Sequence, residues 1–199
     1  MNRLLIVFLH LCILTANGLA QSSEGREFWF GFLNNESDGA RSTTTTVNLS
    51  SSSMAKVRIE IPRVGWYTDV IIPIDSSVSV EIPKQLSLFH RSGKVDDKAI
   101  HIIADTNINV VALNYQKYSA DAALLYPTAS LGLEYIAVGY TVDRTKRNEI
   151  LIVSTRDSTN VIIKYDWNAE EKLNTDTFSL HRGQTIQLSK GRDLTGTII

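Results

Sequence analysis

The stretch Ile100–Tyr140 reads IHIIADTNINVVALNYQKYSADAALLYPTASLGLEYIAVGY. Three dense apolar runs lie in it, Ile100–Ala104, Ile108–Leu113 and Tyr135–Tyr140, with polar residues between them. Short runs rich in Ile, Val and aromatic residues, bounded by Asn, Asp and Ser, mark strands. Asp105-Thr106-Asn107 is expected to be a tight hairpin turn between the first two runs, because Asx side chains bond their own backbone. Asn114–Ala123 reads as a polar excursion, and Leu124–Pro127 resumes the apolar pattern and stops.

Working towards the N-terminus, Lys56–Pro62 alternates with Val57, Ile59 and Ile61 on one face and Lys56, Arg58 and Glu60 on the other. That period of two is a half-buried strand. Pro62–Trp66 reads as a turn, Thr68–Ile74 and Val78–Ile82 as two strands, and Lys84–Lys98 as a mixed segment with a charged tip. Glu27–Phe32, EFWFGF, places Phe28, Phe30 and Phe32 on one face of a strand and Trp29 on the other. A strand buried on both faces explains it better than an aromatic ligand platform. Leu33–Thr46 is a polar loop. Sequons at Asn35 and Asn48 would carry glycans on exposed loops in a eukaryotic secretory route.

Working towards the C-terminus, Tyr135–Val142 and Glu149–Thr155 are expected to pair around the basic loop Asp143–Asn148. Asn160–Tyr165, Phe178–Leu180 and Thr185–Leu188 are further strands, with a polar insert at Asp166–Asp176. No segment shows sustained helical periodicity, so the class is all-β. An internal repeat is visible. SSSSMAKVRIE (Ser50–Glu60) lines up with STRDSTNVIIK (Ser154–Lys164), Thr68–Lys84 with Asp176–Lys190, and Lys98–Ile103 with Leu194–Ile199. A period of about a hundred residues predicts two related antiparallel β-sandwich-like units in tandem. The first spans residues 27–142, after a polar leader at 21–26. The second spans 143–199 and is truncated. Its apolar end at Ile198-Ile199, mid-strand, predicts a fragment of a longer protein.

Residues 1–20 carry Arg3, an apolar run Leu4–Leu14 and a small-residue end, the pattern of a secretory signal peptide. Its removal takes Cys12 and Arg3, leaving no cysteine and 19 basic against 21 acidic side chains, a net charge of −2. Cysteine-based zinc, redox and nucleophile chemistry is then excluded. A near-neutral surface gives no electrostatic case for nucleic acid or an anionic membrane. The expected location is extracellular, with no membrane insertion after cleavage.

Six motifs in order carry a family resemblance: EFWFGF (Glu27–Phe32), PRVGW (Pro62–Trp66), KAIHIIAD (Lys98–Asp105), VALNY (Val111–Tyr115), SADAALLYP (Ser119–Pro127) and LGLEYIAVGY (Leu131–Tyr140). Together they resemble the N-terminal domain of IgG-Fc-binding protein, from about Glu27 to the end of the chain. The resemblance implies a non-enzymatic extracellular recognition or adhesion module with no cofactor and no catalytic residues. It implies an extracellular protein or glycoprotein partner, mucin or immunoglobulin-like. The chain departs from the family's animal members in having no cysteine-rich repeats, and no Fc-contact motif carries over.

His90, His101 and His181 form no pair at ligand spacing, so no zinc site is expected. Asp105-Thr-Asn107-Ile-Asn109 starts like a calcium loop, but Val110 stands where the loop needs glycine. The adjacent acids Asp96-Asp97 and Glu170-Glu171 point opposite ways in a strand, which leaves no convergent pair for acid–base work. Tyr115, Tyr118 and Tyr126, with Asp121 among them, are the candidate recognition patch for protein or glycan, because tyrosine joins apolar area to a hydrogen-bonding tip. The alternative puts Tyr115 and Tyr126 in the core and makes Asp121 a turn cap. A binding module is therefore expected. The competing reading is a carbohydrate-binding accessory domain of a secreted carbohydrate-active enzyme.

Overall fold

The computed structural model describes residues 22–33, 43–88, 92–117, 119–139, 147–165 and 175–199. The predicted signal peptide, Asn35, Tyr118 and most of the basic loop and polar insert lie outside them. The strands are β1 (Gly25–Phe30), β2 (Thr44–Ser51), β3 (Ala55–Ile61), β4 (Trp66–Ile72), β5 (Ser76–Ile82), β6 (Val95–Asp96), β7 (Ile100–Gln116), β8 (Ser119–Leu124), β9 (Asn148–Val153), β10 (Thr159–Lys164), β11 (Thr175–Leu180) and β12 (Thr185–Lys190). One short helix, α1 (Lys84–Ser87), stands beside them. The all-β, antiparallel expectation holds.

β7 organises the first body. Its residues 101–103 lie between β1 and β3, and residues 111–115 lie between β2 and β8. One strand therefore serves two halves of a seven-stranded sheet, ordered β4-β3-β7-β2-β5 with β1 and β8 also on β7. The sheet folds back on itself and is nearly closed, like a barrel. Inward side chains keep a strict period of two along β7: Ile100, Ile102, Ala104, Ile108, Val110 and Ala112 are all buried. The predicted hairpin turn at Asp105-Thr106-Asn107 is thus corrected: it is a bend within one strand. Between Glu27↔Ile103 and Gly25↔Ile108, β7 advances five positions while β1 advances two. The polar residues sit at this corner, where Asp105 Oδ1 accepts from the Lys56 N–H at 2.9 Å and Ser51 Oγ donates to the Asn107 carbonyl at 3.2 Å. The predicted polar excursion is corrected as well, because Asn114–Gln116 and Ser119–Leu124 are paired strand.

β2 to β5 form one long hairpin kinked in the middle. β3 and β4 pair from Ile61↔Trp66 to Ala55↔Ile72, and β2 and β5 continue the same register line from Ser51↔Ser76 to Thr45↔Ile82. A 3-10 turn at Pro62–Val64 makes the tip, and Gly65 closes it at φ 72°, which glycine adopts at least cost. Gly25 is needed for a different reason: a Cβ there would meet the Pro127 ring at 2.3 Å. The core inside the body gathers Phe28, Phe30 and Phe32 from β1 and its end, with Val47, Leu49, Ile59, Ile61, Ile72 and Ile82. Each fully buried side chain of this size contributes about 1.5–3 kcal/mol of transfer free energy.

The same strand plan recurs in the second body. β10 pairs with β11, and β9 with β12, as β3 does with β4 and β2 with β5. The two closing segments share a doubly paired position: His101 lies between Trp29 and Glu60, and Ile198 between Ile136 and Lys164. Tyr135–Ala137 thus takes the place of β1. The expected pairing of Tyr135–Val142 with Glu149–Thr155 is corrected, because Tyr135 and Ala137 exchange backbone bonds with Ile199, Thr197 and Gly196. A separate apolar cluster holds this body, around Val161, Ile163, Tyr165, Leu180, Ile186, Leu188 and Leu194. β6 adds to the free side of β12, so chain preceding β7 completes the second body's sheet.

Candidate functional site

The two bodies meet over the outer face of β1, β3 and β7. Register places Trp29, His101 and Glu60 in one row there, and Glu27 is one step along β1. His101 is 1% exposed. Its Nδ1 lies 2.9 Å from Glu60 Oε1 and its Nε2 3.0 Å from Glu27 Oε1. The ring stacks on Trp29 at 4.0 Å between centroids and 16° between planes. Trp29 Nε1 donates to Glu27 Oε1 at 3.1 Å. From the second body, the turn after β11 brings the Arg182 guanidinium over the Trp29 ring at 5.2 Å and within 4.0 Å of Glu27. Arg63 pairs with Asp97, which also accepts from Gln184 Nε2 at 3.2 Å. Stacking and charge-assisted hydrogen bonds of this kind hold a joint.

This cluster is a seam between the two bodies. The two carboxylates occupy opposite nitrogens of one imidazole, so they cannot converge on one ion, and the ring is covered by Trp29. Among the described residues no group of three His, Cys, Asp or Glu side chains is placed to hold a metal. Desolvation pushes the Glu27 carboxyl up, but hydrogen bonds from Trp29 and His101 and the charges of His101 and Arg182 outweigh it, and the carboxyl is held below its ordinary value of 4.5. A carboxyl lowered in the folded state contributes stability above its unfolded value and loses it as pH falls through the folded value. The seam should therefore weaken on acidification below pH 4.5. Denaturant midpoints followed downward from about pH 6 are expected to drop less steeply in Glu27→Gln than in the parent. Parallel acid slopes would remove Glu27 from the seam.

Beside the seam opens a groove of about 1140 Å³ between the bodies. The end of β1, the inner face of β7 and β8, the segment Leu131–Gly139 and β9 line it. Its rim is apolar and open: Leu133 is 99% exposed and Val138 86% exposed, with Ile136 beside them. Contiguous exposed apolar side chains make the rim a candidate interaction surface. β9 contributes Leu151, Ile152 and Val153 to the wall, and Ile150 and Ile152 also pack against the second core.

The sequence-predicted patch is divided by this geometry. Asp121 pairs with Asn114 and lines the groove. Tyr115 pairs with Ala120, one position on, and so points to the opposite face of the sheet. Tyr115 and Tyr126 are both exposed, which corrects the alternative that placed them in the core. Asn48 lies mid-strand in β2, half-buried between β5 and β7, rather than in a loop. Sequence reasoning missed the rim: it reads Tyr135–Val142 as strand and gives Leu131–Glu134 no element. Two glycines within nine residues, Gly132 and Gly139, were the available sign that this apolar run is not an ordinary buried strand.

Residues 121–199 match the family model described as IgGFc binding protein. The match begins in β8 and takes in the groove's Leu131–Gly139 wall and the whole second body. The resemblance to this family is therefore borne out over that part of the chain. No curated protein matches the chain. No solved structure matches it either.

Proposed function

We propose that the chain is a secreted recognition module that binds an extracellular protein or glycoprotein through the groove between its two β bodies, without catalysis and without a cofactor. The observation that carries this reading is the apolar rim, Leu133 with Val138, standing open to solvent inside the segment matched by the IgGFc binding protein family model. The signal-like N-terminus supports an extracellular site of action. Adhesion to mucin or to immunoglobulin-like domains is the finer form of the proposal.

The test is binding of the chain to immobilised mucin glycoproteins and to IgG Fc, with Leu133→Asp and Val138→Asp as variants. Loss of an apolar anchor at an interface centre costs about 2 kcal/mol or more. Affinity should thus fall by more than about tenfold in each variant while the melting temperature stays put. Both side chains are exposed, so folding has little to lose. Binding that survives both substitutions would remove the groove from the proposal. Hydrolysis of a polysaccharide by the chain would overturn it in favour of a carbohydrate-active enzyme.

A further inference from the structure

On the outer face of the first body, register sets Ser79, Asn48, Val111 and Leu124 in one row across β5, β2, β7 and β8. Val47 and Leu49, on either side of Asn48, are 0% exposed and point inward, so Asn48 points out. It opens the acceptor sequon Asn48-Leu49-Ser50, and the period of two brings the Ser50 hydroxyl to the same face. Asparagine is depleted in strands, and those of β7 are held by their amides. Asn107 Oδ1 accepts from Arg26, Asn109 Nδ2 donates to Glu24 and Asn114 Nδ2 donates to the Leu33 carbonyl. The Asn48 amide has no hydrogen-bond partner among the described residues. Its neighbours on β5 are the exposed Ser77 and Ser79, too short to cover it. On its other side runs an apolar strip, with Val111 and Leu113 half-buried and Tyr115 and Leu124 exposed.

We propose that Asn48 carries an N-linked glycan that lies across the outer face of β7 and β8 and covers this strip. The covalent step joins Asn48 Nδ2 to the anomeric carbon of a lipid-linked oligosaccharide. Nδ2 gives up one proton, and the lipid diphosphate leaves. Both strands that flank β2 lie later in the chain, so the sequon is reached before they pair with it. Two strand spacings put Leu124 roughly 10 Å from Asn48 along the row, within reach of the first sugars. A pyranose packs its C–H face on aliphatic and tyrosine side chains and turns its hydroxyls to water. Contiguous apolar side chains then no longer face solvent on this side of the sheet. The groove lies against the opposite face of the same strands, through Ala112, Asn114, Asp121 and Ala123, so the glycan leaves it open. The inference rests on the secretory part of the proposed function and not on binding in the groove.

The test secretes the full chain from eukaryotic cells with Asn35→Gln in place, which removes the other sequon. An N-glycosidase is expected to lower the mass of the secreted protein and to convert Asn48 to Asp in its peptide map. Asn48→Gln is expected to abolish the mass loss. Ser50→Ala keeps the Asn48 side chain, breaks the sequon and is expected to do the same. Stripping the glycan from the folded protein is expected to raise the fluorescence of an apolar dye, and Leu124→Ser to reverse most of that rise. Secreted chain with Asn48 unmodified would overturn the proposal. A glycan whose removal leaves dye binding unchanged would overturn its placement over the strip. Chain that stays in the cell with residues 1–20 attached would overturn the secretory reading and the proposal with it.

Discussion

His101→Ala is expected to lower the unfolding free energy by about 3 kcal/mol. The substitution empties a 1% exposed site, removes the stacking partner of Trp29 and leaves Glu60 and Glu27 without the ring that lies between them. Glu60 and Glu27 are themselves part-exposed, so water takes up some of the loss; a fully enclosed pair would cost more. His101→Phe separates the contributions. It keeps ring volume and stacking but offers no hydrogen bond, and about half the loss is expected to remain. Equilibrium denaturation of the three proteins measures this. Equal stability of parent and His101→Phe would show that packing alone holds the seam.

Ile102→Ala and Ile108→Ala lie on either side of the β7 bend, and each is 0% exposed. Each is expected to cost about 2–5 kcal/mol, the loss of transfer free energy plus the cavity left behind. Because one strand carries both side chains, either substitution should weaken both halves of the seven-stranded sheet. If β7 were two strands joined by a turn, as Asp105-Thr106-Asn107 invites one to read, each truncation would weaken its own half.

That bend shows where the sequence is legible and where it is not. Alternation located the strands well: Val57, Ile59 and Ile61 face the core as their spacing demands, and Phe28, Phe30 and Phe32 oppose Trp29. The parity of Ile102, Ala104, Ile108 and Val110 was equally readable, and it runs unbroken through Thr106. The Asx residues pointed the other way because turns and sheet corners make the same local demand for polar side chains. At the β7 corner the demand comes from Lys56 and Ser51, which are some fifty residues away in sequence. Pairing across such distances is not written locally. For the same reason Tyr135–Ala137 was assigned to the wrong partner, and His101 looked like an isolated histidine until Glu27, Glu60 and Arg182 were brought round it. Of the described residues of the predicted patch, Asp121 lines the groove and Tyr115 and Tyr126 do not, because residue types alone do not say which face of a strand a tyrosine takes.

Native-state hydrogen exchange along Ile100–Gln116 tests the shared strand most directly. Amides of residues 100–104 and 109–115 are predicted to open with one common free energy, and Ile108→Ala is predicted to lower both sets together. Two distinct opening free energies, with Ile108→Ala lowering only the second set, would contradict a single strand joining the two halves of the sheet.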